Sequence, residues 1–126
     1  MKILAIADRP PRKGLKELVE KEEIDIICTL GDLGYFELVE LNSIPNIPKI
    51  GVYGNHCSGN YFNDFGIHDM HLKTFEFKGL TFGGFEGSHK YKEDPYAKMY
   101  TQEEADLLLL DFPHVDVMLH ILLPMA

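Results

Sequence analysis

Apolar runs separated by amphipathic stretches dominate the first half of the chain. Ile3 to Ala7 is an apolar run closed by Asp8 and by Arg9-Pro10-Pro11-Arg12-Lys13-Gly14, a string that cannot continue a strand. Leu15, Leu18 and Val19 recur at helical spacing among Lys16, Glu17, Glu20 and Lys21, which predicts an amphipathic helix over Leu15 to Glu22. Ile24 to Leu30 is a second apolar run, too uniformly apolar for a half-exposed strand, and it stops at Gly31-Asp32-Leu33-Gly34. Phe36, Val39 and Leu41 predict a short helix over Tyr35 to Leu41, closed by Asn42-Ser43-Ile44-Pro45, and Lys49 to Tyr53 reads as a third strand before Gly54. This alternation is the grammar of a parallel α/β sheet with right-handed crossovers. In such sheets ligands gather beyond the carboxyl ends of the strands, where Asp8, Asp32 and Asn55 fall.

The pattern then changes. His71 to Phe77 and Leu80 to Phe85 alternate around Lys78-Gly79 and predict a β-hairpin, an antiparallel addition to the parallel core. Gly83 to Ser88 reads as a turn, and Lys90 to Tyr100 as a polar loop. Thr101-Gln102-Glu103-Glu104 has the spacing of a capping box, opening a helix through Leu110 that Asp111-Phe112-Pro113 ends. Val115 to Leu119 is a last apolar strand, followed by His120. No repeat or low-complexity segment is present, and 126 residues with 45% hydrophobic positions predict one domain, 1-126.

Charge narrows the partners. A formal net charge of −8 disfavours nucleic acid and anionic lipid, whose phosphates are bound through Lys and Arg. A phosphorylated ligand would therefore need bound divalent cations to attract it. Cys28 and Cys57 are the two cysteines, one in a predicted buried strand and one beside a turn, which suits a reducing interior better than a disulfide framework. The start enters a strand directly and no apolar run approaches a membrane span, so the expected location is cytoplasmic, without membrane partners.

The candidate chemistry centres on Gly54-Asn55-His56 and Gly31-Asp32. Carboxylate, amide oxygen and imidazole are the donors that hard divalent and first-row metals take, and a bridging carboxylate can hold two such ions against one phosphate. Asp8, Asp32 and Asn55 supply those donors, and His56 can face the leaving oxygen of a phosphate as general acid or electrostatic stabiliser. Each residue alone has a structural alternative: Asp8 and Asp32 as helix N-caps, Asn55 as a turn residue, His56 as a loop residue. His68, His71, His89 and His114 lack ligand spacing and read as surface residues, with His89 and Lys90 best placed to touch an anionic substrate.

Asp8, Gly31-Asp32 and Gly54-Asn55-His56, each after a successive strand, resemble the first three motifs of the calcineurin-like metallophosphoesterases. Gly83 to Tyr91 also resembles the glycine-rich turn after the hairpin in their smaller members. The resemblance implies an αββα fold, a β-sandwich flanked by helices, with its C-terminal part missing from this chain. It implies two divalent metal ions (Mn, Fe, Ni or Zn) acting on a small phosphate-ester substrate. By position, Asp8 resembles a first-site ligand, Asp32 the bridging carboxylate, Asn55 a second-site ligand, and His56 the histidine that contacts substrate. Where the family's first motif has a second ligand histidine, this chain has Pro10, and where an acid usually follows Gly-Asn-His it has Cys57.

The tail departs further. Family members continue the last strand with Thr-His-x-Pro-Pro, whose His binds metal, whereas here the chain reads Leu119-His120-Ile121-Leu122-Leu123-Pro124-Met125-Ala126. The string CTC ACA CAT TCT CCT CCC CAT GGC encodes Leu-Thr-His-Ser-Pro-Pro-His-Gly, and loss of one A from ACA turns it into CTC CAC ATT CTC CTC CCC ATG GC, seven codons for Leu119 to Met125 and the two bases that begin every Ala codon. A frameshift is therefore the expectation, to be decided by resequencing the DNA. His120 is a candidate metal ligand standing one residue early, and a one-residue slip along a strand turns a side chain to the opposite face. The uncovered last strand also invites pairing with a second copy, so a homodimer is one expected partner. The competing reading is a catalytically impaired relative acting as a binding or scaffold module. A flavodoxin-like or nucleotide-binding domain fits less well, since Pro10-Pro11 stands where a glycine-rich phosphate loop would lie.

Overall fold

The computed structural model describes residues 1–7, 14–33, 35–44, 46–54, 61–90, 93 and 97–121. The first half forms β1 (Ile3–Ile6), α1 (Leu15–Glu22), β2 (Ile26–Thr29), α2 (Tyr35–Asn42) and β3 (Lys49–Gly51). A one-turn 3-10 helix, Phe62–Phe65, leads to β4 (His68–Asp69). These strands form one parallel sheet in the order β1-β2-β3-β4, with Ile3 opposite Ile26, Cys28 opposite Ile50 and Ile50 opposite His68.

Strand β2 shows why its sequence is apolar throughout. Ile27 packs into a cluster with Leu15 and Val19 of α1, Leu38 and Leu41 of α2, and Phe62. Ile26 and Cys28, pointing the other way, pack with Ile50, Val52, Met70, Phe82 and Leu119. Alternate residues thus serve two different cores, and no position is left for a polar side chain facing water. The two helices and the 3-10 turn share one face of the sheet, as successive crossovers of one hand require when the strand order never reverses.

Helix α1 spans the residues its periodicity predicts and ends where Glu23 turns left-handed (φ 53°) and returns its N–H to the Val19 carbonyl. Its start lacks a side-chain cap of its own. The Glu40 carboxylate of α2 instead accepts the Lys16 N–H at 3.1 Å, supplying both a partner and a negative charge to the helix N-terminus.

The second half builds a separate sheet. Strands β5 (Thr74–Phe77) and β6 (Leu80–Phe85) are the predicted hairpin, its turn made by Lys78 and Gly79, both at positive φ, as a tight two-residue hairpin turn requires. Lys78 pairs with Asp25 at 2.5 Å, fastening the hairpin to the entry of β2. After β7 (Ser88–His89), β8 (Met99–Tyr100) and α3 (Gln102–Leu108), strand β9 (Val117–His120) returns to pair with β6 in parallel, giving the order β5-β6-β9. The hairpin is therefore not an addition to the parallel sheet. It lies against it face to face, with Phe82 and Leu119 in the same cluster as Ile26, Cys28 and Ile50. Gly84 makes this approach possible, since a Cβ there would stand 2.8 Å from Val52 Cγ1 and Met70 Cβ.

The chain is thus a mixed α/β fold with helices on one side of a parallel sheet and a second, mixed sheet on the other. Two short pairings were not legible in sequence: β4 beside β3, and β7 with β8, which lies within the stretches read as a turn and a polar loop. Two-residue strands carry too few positions for any periodicity. Among the described residues no helix is long and apolar enough to cross a membrane.

Candidate functional site

The site begins with two glycines. Strand β2 runs out through Leu30, whose N–H reaches the Ile6 carbonyl at 2.8 Å, and the chain then turns at Gly31 (φ 93°) and Asp32 (φ 55°). Two consecutive left-handed residues are tolerated there because the first is Gly and the second Asp, a residue whose short polar side chain adapts to that region. A Cβ on Gly31 would stand 2.5 Å from both N and Cα of Gly54, so the turns after β2 and β3 touch backbone to backbone. A Cβ on Gly54 would in turn overlap Oδ1 of Asp32. The Asp32 carboxylate therefore lies directly over Gly54, the residue before Asn55 and His56. Gly31 and Gly54 are buried and Asp32 is half-buried.

Asp8, Asn55, His56 and Cys57 lie outside the described residues. Topology still orders the segments that carry them. Asp8 comes two residues after β1, Asp32 three after β2 and Asn55 four after β3, and those strands are successive neighbours, all parallel. A polar cleft of about 560 Å³ opens beside β3 and β4, lined by Tyr53, Asn63, His68, Asp69 and Lys73 among others. Tyr53 stacks on Phe62 at 3.9 Å between centroids, and its backbone carbonyl accepts the Gly87 N–H at 2.7 Å. The turn after β6 is thereby tied to the chain just before Gly54.

His120 and Asp32 are not brought together. Along β9, Val117 and Leu119 face the core between the sheets, while Met118 and His120 face outward and line an outer cavity. His120 Nδ1 sits 3.2 Å from the Phe85 carbonyl and its ring meets the Phe85 ring edge-on at 5.7 Å. The residue that reaches the Asp32 corner is Ile121, whose Cδ1 would stand 2.8 Å from a Cβ on Gly31. The two-residue period of a strand is the cause, and the alternation Val117, Leu119, Ile121 was its legible signal.

His71 is not the surface residue its spacing suggested. Its Nδ1 accepts the Glu86 backbone N–H at 3.0 Å, so the ring proton is on Nε2, which faces Glu86 Oε1 at 3.5 Å. Tyr100 donates its hydroxyl to the same Oε1 at 2.9 Å, and its phenol is pushed well above the ordinary value by burial and then by that carboxylate. His68, His89 and His114 are exposed as expected. Thr29 is a further residue that sequence reasoning missed, its hydroxyl buried beside Gly51 with no hydrogen-bond partner among the described residues.

Among the described residues no three His, Cys, Asp or Glu side chains converge closely enough to hold a metal ion. Asp32 is the one expected ligand described at the corner, and its carboxylate is the hard-oxygen type that divalent ions take. Comparison with protein-family models, with curated proteins and with solved structures found no match for this chain.

Proposed function

We propose that this chain is a metal-dependent phosphoesterase that hydrolyses phosphomonoesters or phosphodiesters. The observation that carries the reading is the corner itself, an Asp32 carboxylate lying over Gly54 where two neighbouring parallel strands end, directly before Asn55-His56. The accompanying fold reading is the αββα sandwich of the calcineurin-like metallophosphoesterases, supported by two sheets sharing one core. The compartment is read as cytoplasmic, in keeping with a free, buried Cys28 thiol.

In this reading Asp8, Asp32 and Asn55 would hold two divalent ions, Mn, Fe, Ni or Zn. Such ions supply Lewis acidity towards a phosphoryl oxygen and lower the pKa of water. His56 contributes the proton that the departing alcohol oxygen takes up. Gly31 and Gly54 let the two turns approach, so that a short carboxylate side chain spans from one to the other. Such ions, once held, would attract the small phosphate ester, which the protein's own charge of −8 does not.

The test is metal content by mass spectrometry together with hydrolysis of a nitrophenyl phosphodiester by protein loaded with Mn or Ni. Bound metal and turnover that Asp32→Ala abolishes are expected, and undiminished turnover in that variant refutes the role of Asp32. One observation favours a second reading, a binding or scaffold module: the side chain that reaches the corner just after β9 is the apolar Ile121, which offers no ligand atom. Two equivalents of tightly held metal select the enzyme, and none selects the module.

A further inference from the structure

The outer face of the second sheet holds a cavity of about 330 Å³ between β6, β8, β9 and α3. Its walls include Phe85, Tyr100, Ala105, Leu109, Met118 and His120. The rings are already arranged around one another: Tyr100 meets Phe85 edge-on at 5.0 Å, and His120 meets it edge-on at 5.7 Å. A volume of this size is within the range of small-molecule pockets, which are mostly apolar with a few convergent polar groups.

Polar groups on the lining are Ser88, His89, Thr101, Gln102 and His120, and the role of His120 is defined by hydrogen bonding. The Phe85 carbonyl can only accept, so His120 Nδ1, 3.2 Å away, carries the ring proton. In that tautomer Nε2 is left as an acceptor. The Tyr100 hydroxyl is committed to Glu86 at 2.9 Å and does not offer its proton to the cavity. A ligand that suits these walls has a flat apolar body and a hydrogen-bond donor.

We propose that this cavity is a binding site for a small planar aromatic molecule bearing an N–H or O–H donor, received by His120 Nε2 and packed against the wall that the touching rings of Phe85 and Tyr100 form. The site is independent of the Asp32 corner, because β9 turns His120 to the opposite side of the sheet from Ile121. An anion is disfavoured in a protein of charge −8.

The probes are indole and 1-methylindole, which differ in the donor and little in shape, titrated into the full chain with amide NMR shifts as readout. Indole is expected to shift residues of β6, β9 and α3 and to bind roughly tenfold more tightly than 1-methylindole, since one hydrogen bond separates them. His120→Phe keeps an aromatic wall, and indole should then bind no better than 1-methylindole. Ala105→Phe fills the cavity and should abolish both titrations while leaving a dispersed spectrum that reports an intact fold. Equal binding of the two probes, absence of shifts at millimolar indole, or undiminished binding to Ala105→Phe overturns the proposal. So does a dimer detected by sedimentation that Met118→Arg dissociates, since the outer face would then be covered by a second copy.

Discussion

Gly54→Ala isolates the contact that makes the Asp32 corner. Gly54 is not among the residues at positive φ, so alanine suits its backbone, and loss of chain freedom in the unfolded state would by itself stabilise the fold by about 0.4–1 kcal/mol. Against this, the new methyl group overlaps Oδ1 and crowds Cγ of Asp32, at 2.7 Å. The carboxylate must withdraw by roughly 1 Å to regain van der Waals distance, and overpacking of this kind costs about 1–3 kcal/mol. The net expectation is a destabilisation of about 1 kcal/mol by urea unfolding. Asp32→Gly removes the carboxylate and suits φ 55°, and in that background Gly54→Ala should cost much less, the contact that remains being the backbone N of residue 32 at 3.0 Å. The double-mutant cycle then gives a coupling of about 1–3 kcal/mol. A coupling near zero would refute the placement of Asp32 over Gly54, whether or not the protein binds metal. On the phosphoesterase reading, Gly54→Ala also weakens metal binding by about a hundredfold, because displacement by 1 Å is enough to spoil such a site. Gly31→Ala is the contrast, since its methyl group would meet Gly54 backbone at φ 93° and the fold itself should fail.

Three further expectations concern the scaffold. Thr29→Val removes a buried hydroxyl that has no partner among the described residues while keeping the branched shape, and should stabilise by about 1 kcal/mol, seen as a Tm rise of about 3–5 °C; a lower Tm would mean that the hydroxyl is satisfied. Burial pushes the Cys28 thiol up to about 11, so in a Cys57→Ser background Ellman's reagent at pH 8 should react slowly in the native protein and fast in guanidinium. With the folded value above the unfolded one, this thiol's stabilising contribution is full below about pH 8.5 and is lost progressively as pH rises towards 11, so a flat Tm across that window would contradict it. Thr101 completes a capping box, its hydroxyl accepting the Glu104 N–H at 3.1 Å and its N–H reaching the Glu104 carboxylate at 2.9 Å. Because α3 buries no residue, Thr101→Ala should lose about 1 kcal/mol locally and speed amide exchange across α3 while leaving β2 protected.

Periodicity sufficed for elements whose own residues carry the signal. Helix α1, the alternating strands and the Lys78-Gly79 turn follow from local spacing and backbone preference, and the capping box is a four-residue hydrogen-bond pattern. The uniform apolarity of β2 likewise announced two covered faces. What covers them was a matter of long-range contact: Phe82 and Leu119, far along the chain, close the second core over Ile26 and Cys28.

The candidate site divides in the same way. Its residue types, and their positions just after successive strands, were written in the sequence as Gly31-Asp32 and Gly54-Asn55-His56. That the two turns touch, with a carboxylate laid over a glycine, depends on the pairing of β2 with β3 and on the absence of two Cβ atoms. The facing of the C-terminal strand was decided by its register with β6, which sets Gly84 beside Leu119 and Phe85 beside His120. Local sequence sets the period of a strand, but only its neighbour in the sheet sets which phase of that period meets the site.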